Sequence, residues 1–263
     1  MNNGIAMTEA RWQDCAKPEE MLWHVGATGN DRPLRLFACA CCRIVWPIIP
    51  SEAGRNAVVV SERFAEGNAT AAELQAAERS ARTTRTKGAW LAQWAAAEAA
   101  GADAWPAAQW ASAWSAEAAG EAAAASAALG SARLSLYDLG AMAWHQARKT
   151  QCDVLRDLFA NPFRVTRFPT YALLWKNGRI VRAAQAIYDA RRFQDLPALA
   201  DLLEQTGCED PDILSHCRAT HGHGLGCWLL DGLLGTRAAG APTPAPWSQQ
   251  RRQLSIRFAM SKG

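Results

Sequence analysis

Strand signals are scarce along this chain of 263 residues, so a sheet-based architecture is not expected. Equally absent are G-x-S-x-G, a P-loop, and a G-x-G-x-x-G turn between strand and helix, which removes the commonest sequence signatures of hydrolases, phosphate-binding NTPases and dinucleotide enzymes. No uncharged run reaches the roughly eighteen residues of a membrane span, and the longest, after Asp103 and after Arg237, contain proline. The opening MNNGIAMTEAR lacks a basic region followed by an apolar core, so the cytoplasm is the expected compartment. Charge of one sign is also in short supply. A net charge of +3 falls far below that of a dedicated nucleic-acid binder. In a reducing compartment the eight cysteines are expected as thiols or ligands rather than a disulfide framework.

What is present is apolar and helix-forming. About half the residues are hydrophobic, enough to bury a core in one large domain or two small ones. Thr8, Pro18, Asp31 and Ser51 mark successive helix starts, and Thr70 with Glu73 makes a capping box. After Asp31, Leu34, Phe37, Cys41 and Val45 recur at helical spacing until Pro47. From Ala71 to about Leu158 alanine dominates, interrupted at Gly88, Gly101, Pro106, Gly120, Gly130 and Gly140, which predicts two or three long helices. Trp90 and Trp94 share one helix face there, as do Trp110 and Trp114. They are expected to fill the space between closely approaching alanine-rich helices. The other reading is a platform for stacking bases, with Arg79, Arg82, Arg85 and Lys87 just upstream.

Three of the five histidines and three of the eight cysteines fall between Cys208 and Gly235. Asp210 can cap a short helix at Pro211, and a second apolar helix runs from near Cys227 to Gly235. The Gly- and His-rich loop between them can gather Cys217, His221, His223 and Cys227, four candidate ligands for tetrahedral zinc. Cys41 or Cys42 could replace His221 as the fourth. The competing reading makes the cysteines small buried hydrophobes. His216 and Cys217 invite comparison with Cys–His catalysis, but neighbours on a helix point about 100° apart, so no catalytic residue is assigned.

LRLFACACCR at 34–43, LFANPFR at 158–164, AQAIYDARRFQDLPALADLLEQTGC at 184–208, and DILSHCR with GCWLLDGLLG resemble an uncharacterised protein family abundant in planctomycetes. Its pattern HxRGCWxxD is met by His223, Cys227, Trp228 and Asp231, with Leu225 standing where the family has arginine. The resemblance implies a bacterial cytoplasmic protein of one architecture and supplies no chemistry.

The sequence therefore predicts an all-α, multi-helix bundle: a helical domain over 1–160 with an Ala/Trp-rich hairpin at about 70–158, a C-terminal helical subdomain over 161–235 carrying the Cys/His loop, and a Pro/Ala linker with a basic tail over 236–263. The expected role is a non-enzymatic interaction or scaffold module acting through protein–protein contacts. The alternative is a zinc-stabilised regulatory or nucleic-acid-binding protein. Zinc is the one cofactor expected. The partner is expected to be another protein, with nucleic acid as the alternative and no membrane. Trp247, Arg251 and Arg252 of the tail are the residues expected to meet that partner.

Overall fold

The computed structural model describes residues 6–26, 30–86, 88–128, 135–166, 168, 170–219 and 222–235. His221 and the tail residues Trp247, Arg251 and Arg252 lie outside them. Among the described residues there are twelve α-helices and no strand, the all-α bundle that the sequence predicts.

The first five helices are α1 (Glu9–Asp14), α2 (Pro18–Val25), α3 (Asp31–Ile44), α4 (Glu52–Ala65) and α5 (Ala71–Thr83). Thr8 and Ser51 each accept a hydrogen bond from the third residue on, and both halves of the Thr70–Glu73 capping box form. Asp31 is not a cap. Asn30 takes that position without a side-chain bond, and Asp31 is the first helical residue, where its charge faces the positive end of the helix dipole.

The alanine-rich stretch yields α6 (Trp90–Ala99), α7 (Ala104–Ala128) and α8 (Leu136–Phe159). Three of the expected breaks are absent, because α7 runs through Pro106 and Gly120 and α8 through Gly140. Pro106 falls in the first turn of α7, where its missing N–H has no intrahelical partner to lose. The two glycines serve an approach between backbones: a Cβ on Gly120 would stand 3.1 Å from the Gly140 carbonyl oxygen, and one on Gly140 3.2 Å from that of Gly120. The indoles also depart from expectation. Alanines such as Ala92, Ala96, Ala107 and Ala111 fill the seams, while Trp90, Trp94 and Trp110 are 49, 42 and 51% exposed. An alanine surface lets the axes come so near that no space remains for an indole between them.

The chain continues with α9 (Thr170–Asp189), α10 (Leu196–Glu204), α11 (Pro211–Arg218) and α12 (Trp228–Leu234). Residues Trp175–Gly178 break α9 with three consecutive left-handed residues, Lys176, Asn177 and Gly178, at the Asn-Gly turn. Asp210 caps α11 by accepting from the backbone N–H groups of Asp212 and Ile213. Apolar packing is divided: one buried cluster draws only on residues between Ala160 and Leu233, and three others only on residues between Trp12 and Leu158. Polar groups cross the division. The Arg32 guanidinium donates to both oxygens of Asp231, to Glu66 at 2.9 Å and to the Tyr188 hydroxyl at 2.9 Å. Trp12 donates its indole N–H to the Ala160 carbonyl at 3.1 Å.

Candidate metal centre

A further polar crossing is a buried group of four side chains. Asp157 comes from the last turn of α8, His216 from α11, His223 from the loop that follows, and Cys227 from the residue capping α12. One candidate ligand atom from each lies within 4.8 Å of all the others. The His223 Nδ1 to Asp157 Oδ1 distance is 2.9 Å, His216 Nε2 to the same oxygen 3.2 Å, and His216 Nε2 to Cys227 Sγ 3.2 Å. Bond lengths of roughly 2.0–2.3 Å to a tetrahedral zinc imply ligand atoms about 3.3–3.8 Å apart. The donors stand slightly closer along three edges, so an ion would spread them by a few tenths of an ångström. This buried Asp/His/His/Cys group can hold a metal ion.

Local sequence explains the convergence. Ile213 and Cys217 are one turn apart and form the buried face of α11, which turns the neighbouring His216 toward α8. Gly222 and Gly226 take φ of +93° and +82°, folding the loop so that His223 points back at Asp157. At Gly226 a side chain is disfavoured twice, by the positive φ and because a Cβ would have to displace the Leu36 and Leu158 tips, which it would meet at 2.6 and 2.8 Å.

Protons in this group can be placed by their partners. His223 faces two acceptors, Asp157 through Nδ1 and the Ala219 carbonyl through Nε2 at 3.1 Å. Burial works against charge on this ring, but Asp157 and Ala219 outweigh it and hold the imidazole above its usual range. Burial likewise opposes the Asp157 carboxylate, yet His216 and His223 keep it below the ordinary aspartate value, and Gly224 donates its N–H to Oδ2 at 3.0 Å. Burial and then the nearby Asp157 push the Cys227 thiol well up. His216 Nδ1 accepts the Trp228 indole N–H at 3.1 Å, which places its own proton on Nε2. Without an ion, the group is a charge-assisted network centred on Asp157.

With an ion, His223 is already oriented for ligation. Its Nε2–H bond to a backbone carbonyl is the usual outer partner of a metal-bound imidazole, leaving Nδ1 for the metal. His216 requires a change: ligation through Nε2 moves its proton to Nδ1 and costs the Trp228 N–H its acceptor. A cleft of about 380 Å³ beside His223 and Leu225 extends to Arg43 and Arg191 and offers a route to the site. Both arginines are held on Glu62.

No family model, curated protein or solved structure matches this chain. The reading of the site therefore rests on its own geometry. Of the four residues chosen from sequence, the structure brings together His223 and Cys227, and His221 lies outside the described residues. Cys217 is a correction. It is fully buried in the apolar cluster of residues 160–233, near Cys208, and burial raises its thiol to about 12. Cys41 and Cys42 are no substitute ligands either, for both are buried in apolar clusters of the N-terminal part and their thiols are pushed up by burial. Asp157 and His216 were missed. One sequence signal for Asp157 exists: an acid in the last turn of a helix opposes the dipole there and calls for a cationic or metallic partner.

Proposed function

We propose that this chain is a zinc-clamped helical scaffold that works in the cytoplasm through contacts with another macromolecule and not through catalysis. The observation that carries the reading is the convergence of Asp157, His216, His223 and Cys227 at one buried point. A thiolate, two imidazoles and a carboxylate suit zinc better than magnesium or calcium, which prefer oxygen alone. Four protein ligands complete a tetrahedral shell and leave no open position for substrate, the arrangement of structural zinc. The thiol also argues against nucleophilic chemistry, since Cys227 is fully buried with its ionisation suppressed, the reverse of an activated cysteine.

Zinc here would join α8 to the last two helices, α11 and α12, so the expected effect of the metal is on stability. Protein purified without added metal should carry one equivalent of zinc by elemental analysis, and chelation should lower the thermal midpoint. Cys227→Ser and His223→Ala should each abolish bound metal and the response to chelator, whereas Cys217→Ser should keep both. Metal-free protein whose midpoint is unmoved by added zinc would overturn the proposal.

A further inference from the structure

The alanine-rich helices leave an aromatic strip on the surface that the metal centre does not use. Trp110 and Trp114 of α7 are stacked, with ring centroids 6.1 Å apart and planes 21° from parallel, and Trp114 meets Trp90 of α6 at 5.9 Å. Trp94, one turn beyond Trp90, shares its helix face. Three of these four indoles are about half exposed, a contiguous apolar patch of the kind that marks an interaction site. The strip ends in a pocket of about 290 Å³ between α5 and α6. Arg82, Arg85, Thr84 and Thr86 line it together with Trp90 and Trp94, and no carboxylate does. Arg82 lies over the Trp94 ring at 5.5 Å and is held by Glu78 and Glu98. Arg85 makes no ion pair among the described residues, and Arg79 is exposed on the neighbouring turns of α5.

We infer that this face binds single-stranded nucleic acid, with a phosphate and base of one nucleotide in the Arg/Thr/Trp pocket and following bases stacked along Trp90, Trp114 and Trp110. The Arg85 guanidinium, which no described acid engages, and the threonine hydroxyls suit a phosphate, and indoles offer every base a stacking surface. Aromatic rings beyond the pocket extend the site past a single nucleotide, which favours a strand over a free mononucleotide. A duplex hides its base faces and cannot use the strip. The positive pocket lining favours an anionic strand over a basic peptide. The inference does not depend on the metal centre.

The test is fluorescence anisotropy of the full chain with labelled dT20 and rU20, against a duplex of equal length and thymidine monophosphate as competitors. Salt-sensitive binding of the single strands is expected, with weak competition from both competitors. Trp90→Ala, Trp110→Ala and Arg85→Glu should each weaken it roughly tenfold or more, while the circular dichroism and denaturation midpoint stay near those of the parent because these side chains are on the surface. Three outcomes would overturn the proposal: no binding of either strand, equal binding of duplex, or variants that bind as the parent does. The last two would place binding on charge elsewhere in the chain or leave the strip to a protein partner.

Discussion

Trp228 is the side chain that most directly decides between a filled and an ion-free centre. Its indole N–H competes with any ion for the protonation state of His216, since it keeps the ring proton on the nitrogen that must ligate. Trp228→Phe removes that competition. The variant is expected to bind zinc more tightly than the parent in a competition titration, even though truncating a buried indole lowers stability. Weaker zinc binding would mean that the Trp228 bond helps hold His216 in place. Asp157 behaves differently because it is the hub of both states. Asp157→Ala leaves His223 without its carboxylate and should cost about 3–5 kcal/mol in chemical denaturation, with zinc unable to restore the parent midpoint.

Helices were largely legible in the sequence, because caps and apolar spacing are local. Thr8, Ser51, Asp210 and the Thr70–Glu73 pair all act as their spacing predicts. What failed were features whose meaning depends on a partner helix. Gly120 and Gly140 read as breaks from either side alone, yet they are one crossing of α7 and α8. Alanine at either position would gain about 1 kcal/mol of helix propensity and should lose about 1–3 kcal/mol to the facing carbonyl. The double variant should therefore lower the denaturation midpoint, and a rise would show that the crossing yields easily. The candidate metal-holding group was half legible for the same reason. His223 and Cys227 lie on one short loop, whereas Asp157 is 66 residues before His223 and joins only through the fold. The choice of Cys217 over His216 favoured the softer ligand, while the Ile213–Cys217 spacing on α11 already assigned that cysteine to the core.

At the level of the molecule, the two apolar regions touch where Leu225 packs on the N-terminal cluster and are otherwise joined by polar bonds, those of Arg32 and Asp157 chief among them. Arg32→Ala would remove the Arg32 cation from both oxygens of the buried Asp231 and should cost on the order of 3 kcal/mol. Because the apolar clusters on either side remain whole, the loss should fall on their union. Unfolding followed by tryptophan fluorescence and by circular dichroism should then cease to coincide. A single coincident transition with an unchanged midpoint would show that the regions are held by other contacts.

The distribution of ligands along the chain also imposes an order on the protein's manufacture. Every fully buried residue of the three N-terminal apolar clusters has been synthesised by Leu158, and domains of this kind fold as the chain emerges. Asp157 is then complete and waiting at the end of α8, but His216, His223 and Cys227 do not yet exist. Arg32 waits in the same way for Asp231. A chain interrupted anywhere before Cys227 lacks both the full set of partners of Asp157 and the Asp231 bonds of Arg32, whose remaining ion pair is with Glu66, so both crossings form only once the last helix has been made, and shorter products are left open to proteolysis at the joint.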